Sequence, residues 1–210
     1  MLFAVIVPLA YILALTFPAS RAVFQAATET SPYIMGFFKF AFLATTGEIL
    51  ARRISDGAFS FPPKVMAKSI IWGVIGMMIA LLFPFYSAGV QAAQDAGLLP
   101  GRHSFVATAV LTSVINNFTF GIVMMIAHRI TDTMIEMRAD RRKATVIKAV
   151  EAIDWPGFVS FVIFRTIPFF WIPAHSVTFM LAPQYRVILS AFLSIALGLL
   201  LAVARKKKKT

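Results

Sequence analysis

Lys39, Asn116, Asn117 and Arg165 raise the first chemical question, because each lies well inside a long apolar run. Counted from the run ends that carry most of the Lys and Arg, all four fall roughly 15 to 18 Å deep at about 1.5 Å of helical rise per residue. Two cations and two carboxamides would then share one layer near the middle of a bilayer, with no acidic residue at that depth. Polar groups inside a membrane are costly, so such a layer is a candidate pore lining or anion site. Two bare cations would repel, so water, carbonyls or an anion must lie between them. An architectural account stands beside this one: Lys39 snorkels to the headgroups, Arg165 bonds carbonyls released by Pro168, and the Asn pair joins helices. Nearer the inner face, Glu48 shares its depth with Lys68 and Arg52, which makes Glu48 and Lys68 a candidate ion pair, structural first and a gate second.

Other chemistries find little material. His175 has no His, Asp or Glu at metal-ligand spacing, so no metal site is expected. It reads as a hydrogen-bonded histidine or a pH-sensitive lining residue. Glycine-rich phosphate loops, paired carboxylates and a nucleophile with its base are all missing, and the chain has no cysteine. The expectation is a protein that is not an enzyme and needs no cofactor. Pro168 and Pro173 remove backbone donors from one apolar run, which kinks a helix or breaks it and turns carbonyls towards a cavity.

The elements that must hold these residues follow from composition. A chain of 210 residues that is 59% hydrophobic has far more apolar side chain than one small soluble core needs. Six runs have bilayer-spanning length: Leu2 to Ser20, Pro32 to Leu50, Ala67 to Ala88, Ser104 to Ala127, Trp155 to Ala182, and Val187 to Ala204. Hydrocarbon leaves free backbone groups no partner, and the runs lack barrel-strand alternation, so each is expected to be a helix. The first has no basic leader and no small-residue cleavage site, and is read as a retained span. The expected fold is an all-α, polytopic transmembrane helix bundle forming one membrane domain over residues 1 to 210.

Charge sets its orientation. With both termini cytoplasmic, the inner side collects Arg52, Arg53, Lys64, Lys68, Arg129, Arg138, Arg141, Arg142, Lys143, Lys148 and the tail Arg205 to Lys209, against Arg21, Arg102 and Arg186 outside. The formal charge of +11 therefore reads as topology anchoring on anionic lipid, not nucleic-acid binding. The polar connection from Arg129 to Asp154 reads as a cytoplasmic extension of a helix with ion-paired faces.

The stretch FWIPAHSVTFMLAPQYRV, residues 170 to 187, closes the fifth run. Pro183-Gln184-Tyr185-Arg186 is expected to form the tight turn into the sixth, with Trp171 and Tyr185 towards the outer interface and Arg186 capping carbonyls or meeting headgroup phosphate. The order Trp171, His175, Phe179, Pro183, Arg186 before an apolar helix resembles the C-terminal signature of the family containing Mpv-seventeen and the 22-kilodalton peroxisomal membrane protein. Upstream, Ser31-Pro32 and Gly47-Glu48 resemble its His-Pro and Gly-Asp elements, Phe85-Tyr86 its Trp-Tyr, and Asn116-Asn117 its Asp-Gln. The likeness covers about residues 31 to 204. His175 stands where the family has Gln, Thr178 where it has Asn, the interval from Pro183 to Arg186 is one residue shorter, and the family's closing Trp-Asn-x-Tyr-Leu-Ser is absent. The resemblance implies a small membrane channel or pore-like protein passing small solutes, and the intramembrane cations Lys39 and Arg165 extend that expectation to anionic ones. The alternative is a non-conducting scaffold or lipid-organising protein of membrane homeostasis. Expected partners are membrane lipids, a small solute or anion and further copies of the chain, with no nucleic acid. The favoured host is a bacterial inner membrane, or an organelle membrane in a eukaryote.

Overall fold

The computed structural model describes residues 2–57, 61–62 and 64–207. It is 87% helical, and no strand occurs among the described residues. The helices are α1 (Leu2–Thr16), α2 (Pro18–Thr30), α3 (Pro32–Asp56), α4 (Val65–Asp95), α5 (Phe105–Ala139), α6 (Val146–Ala152), α7 (Trp155–Met180) and α8 (Pro183–Lys207). Five of them, α3, α4, α5, α7 and α8, are long and apolar enough to cross a membrane. The all-α fold is as expected, and the protein is membrane-embedded by the length and apolarity of these helices.

The first expected span differs. It breaks into α1 and α2 with a bend of 101°. Phe17 precedes Pro18, and the proline ring excludes the helical region for its neighbour; Phe17 accordingly adopts φ −82°, ψ 132°, and Pro18 restarts the helix. A sixth crossing exists only if this bent pair traverses as one broken span. The turn before α8 also moves. It falls on Leu181 and Ala182, and Pro183 is already helical, because a proline at the first helical position loses no hydrogen bond and brings a preset φ.

The contacts gather into two compact units, Met1–Ala80 with Val187–Thr210, and Leu81–Arg186. In the first, α1 and α2 pack on α3, with Phe3 edge-on to Phe42 at 6.5 Å. The α3 and α4 backbones meet at Gly36 and Gly76, where a Cβ on Gly36 would lie 2.6 Å from the Gly76 carbonyl oxygen. At Gly47, a Cβ would come within 3.1 Å of Ile195 Cα on α8. Small residues of this kind let membrane helices approach closely, where packing replaces the hydrophobic drive.

In the second unit, α5 lies along the C-terminal part of α7. Ser113 Oγ donates across this contact to Ile172 O at 2.7 Å. Both helices contain π-helical turns, at Asn117–Gly121 in α5 and Val159–Trp171 in α7. In the second of these, Ile172 N–H reaches back five residues to Ile167 O, and the widened turns accommodate Pro168, which lacks a donor and would crowd a regular helix. The connection 96–104 is closed by Gln94, whose Nε2 donates to Pro100 O at 2.9 Å and Gly101 O at 3.1 Å. Thr108 Oγ1 donates to Gln94 Oε1 at 2.7 Å, which ties the start of α5 to the end of α4. The polar connection after α5 turns at 140–145 into the short helix α6, capped by Thr145.

Candidate functional site

In the first unit, Lys39 is wholly buried. Its Nζ donates to Thr28 Oγ1 at 2.8 Å and sits 4.4 Å from the centroid of the Phe24 ring. Both partners belong to α2, and Thr28 lies in its last turn, where the helix dipole favours a cation. An ammonium carries three donors, and among the described residues only Thr28 accepts one, with no carboxylate paired to it. Snorkelling to a headgroup is thereby replaced by inward docking: the bent α1–α2 pair brings α2 over the α3 face that carries Lys39. Further along α3, Glu48 Oε2 lies 3.7 Å from Lys68 Nζ, and Trp72 Nε1 donates to Glu48 Oε1 at 3.0 Å. Lys68 is buried and Glu48 half-buried, so this corner is an ion pair with an indole donor.

In the second unit, Asn116 and Asn117 are both buried and His175 is buried beside them. Asn117 Nδ2 donates to Ser113 O at 2.8 Å. The same amide presents Nδ2 at 3.1 Å and Oδ1 at 3.2 Å to His175 Nδ1, so it serves either imidazole tautomer. The imidazole is wedged between Trp171, 5.0 Å away and inclined at 30°, and Phe83, edge-on at 5.5 Å. Asn116 Oδ1 and Trp171 Nε1 are buried with no hydrogen-bond partner among the described residues.

Arg165 differs from the other three residues of the expected layer in its burial. It is exposed, while its neighbours Thr166 and Ile167 are the buried positions of the π-helical stretch Val159–Trp171. The helix is π-wound from Val159 onward, where each residue advances by a smaller angle than in a regular α-helix. Arg165 therefore does not join Asn116 and Asn117 as a buried group, and among the described residues no carbonyl holds it. Sequence reasoning instead missed the link from Asn117 to His175. Its signal was the pairing of one scarce histidine with one of the deepest carboxamides on different helices.

Near the end of the second unit, Arg186 Nε donates to Leu181 O at 2.9 Å and Nη1 to Ser87 Oγ at 3.4 Å. Its guanidinium lies 5.7 Å over the Phe179 ring, which in turn packs on Phe83 at 4.8 Å. Trp171 with His175 and Phe179 with Arg186 thus form two contacts joined through Phe83 of α4. Among the described residues no group of three or more His, Asp or Glu could hold a metal ion. No family model, curated protein or solved structure matches the chain.

Proposed function

We propose that this integral membrane protein passes small anionic solutes in the manner of a channel or pore, as a divergent relative of the family containing Mpv-seventeen, with a bacterial inner membrane as its favoured host. The observation that supports the reading is Lys39: a buried ammonium on a membrane-crossing helix, with one hydrogen bond and no carboxylate beside it among the described residues. An uncompensated cation in low dielectric attracts a permeating anion and repels cations.

Liposome flux tests it. Purified protein should conduct chloride or a small carboxylate in preference to sodium, and Lys39→Met should lower anion flux while Arg165→Met, at an exposed position, leaves it unchanged. Equal anion flux in folded Lys39→Met and wild type would end this reading. The second reading, a non-conducting scaffold, draws on the docking of the same ammonium at the C-terminal end of α2, which makes it a brace for the bent N-terminal pair. On that reading Lys39→Met lowers thermal stability and the liposomes stay tight.

A further inference from the structure

A cleft of about 320 Å³ opens in the second unit where α4 ends and α5 begins, lined in part by Ser87, Gln91, His103, Thr108, Phe179 and Arg186. Arg186 is the one guanidinium among the described residues that line it, and the side chain is fixed before any ligand arrives: Nε is held by Leu181 O, Nη1 by Ser87 Oγ, and the plane rests on Phe179. Of the five N–H donors of a guanidinium, these two bonds engage two, and the others have no partner among the described residues. Gln91 is exposed on the same wall and makes no hydrogen bond among the described residues, so its carboxamide is a second open donor. Among the described residues the one carboxylate on the wall, Asp95, is turned to Arg102, with 3.3 Å between Oδ1 and Nε. Ser104 and Phe105 place the first turn of α5, the positive end of its dipole, at the same opening.

We infer that this cleft binds a small oxyanion, a phosphate or carboxylate group, with Arg186 as the planar fork, Gln91 as a second donor and Phe179 as the apolar floor. A preorganised guanidinium matches the two oxygens of such a group, and its ordering has already been met by the fold. The site goes beyond anion passage: it is a pocket read by binding, and it is complete within one unit whether or not the protein conducts. A free solute and a lipid headgroup carry the same chemistry, and the two sources separate by experiment.

The test uses the full chain in a neutral detergent, following its unfolding midpoint against inorganic phosphate and against dihexanoyl phosphatidylglycerol below its micellar concentration, with chloride at matched ionic strength. Phosphate should raise the midpoint saturably. Arg186→Gln should raise the half-saturating concentration about tenfold, Gln91→Leu should raise it less, and Asp95→Asn should lower it by removing a competing charge. Comparison with the variants removes the general stabilisation that phosphate gives any protein. A response to phosphate alone assigns a free solute, and a response to the lipid alone assigns a headgroup. Because Gln91 is exposed and unbonded, Gln91→Leu keeps the test decisive should Arg186→Gln fail to fold. Identical titrations of wild type and Gln91→Leu with both probes, or no saturable response to either, would overturn the assignment.

Discussion

The carbonyl oxygen of Gly76 occupies the place where a side chain on Gly36 would begin, 2.6 Å from the Cβ position there. Backbone meets backbone at this crossing of α3 and α4, and neither partner is the movable end of a flexible side chain. Gly36→Ala should therefore force the helices apart and lower stability by about 1 to 3 kcal/mol, as overpacking does. Gly89, also on α4, has nothing within 4 Å of its Cβ position. Gly89→Ala should be neutral or stabilising by up to about 1 kcal/mol through helix propensity. Thermal unfolding of the two variants in detergent checks the contrast, and equal midpoints would refute the close crossing.

Thr28 gives Lys39 its hydrogen bond, so the two positions are energetically coupled. Thr28→Val should strand a buried ammonium and lower stability by about 1 to 3 kcal/mol. Adding Lys39→Met to that variant should restore part of the loss, because the stranded donor is gone. A double-mutant cycle on unfolding midpoints measures the coupling, and additive losses would dissolve it.

His175 is held by the Asn117 carboxamide, which can serve as donor or acceptor to a second amide equally well. His175→Gln should keep most of the stability, while His175→Leu should cost about 1 to 3 kcal/mol by leaving one face of Asn117 unpaired. Equal behaviour of the two variants would mean that the contact is packing alone.

Singly introduced cysteines test the membrane topology against a background free of native thiols. Arg102→Cys and Thr145→Cys flank α5, a helix long and apolar enough to cross. A membrane-impermeant thiol reagent should reach residue 102 from outside and residue 145 only after the membrane is opened, following the Lys and Arg asymmetry. Labelling of both from one side would reject the orientation.

The long apolar helices were legible because bilayer length and apolar composition leave no other structure for them. The break at Pro18 was missed: Phe17-Pro18 interrupts a helix whatever its hydropathy, and averaging over twenty apolar residues conceals that. The exposure of Arg165 was not legible because depth along a helix can be counted from sequence but azimuth cannot, once π-helical turns change the angle per residue. Gln94, which ties the connection 96–104 to Thr108, carried no signal at all; a polar residue near a helix end usually faces water, and here three hydrogen bonds take it inward. The Glu48 and Lys68 corner was readable since both sit at the same depth on consecutive helices, whereas the Trp72 donor completing it was not.

The break at Phe17 also bears on biosynthesis. α1 has 15 residues, a rod of about 22 Å, which falls short of a hydrocarbon core of about 30 Å. The stretch from Leu2 to the break is thus shorter than one crossing, and only the bent pair taken together reaches that length. The partners that settle it arrive later in the chain: Phe42 for Phe3, and Lys39 for the Thr28 end of α2. Phe3 and Thr28 therefore gain these contacts only once α3, which follows them in the chain, has been made.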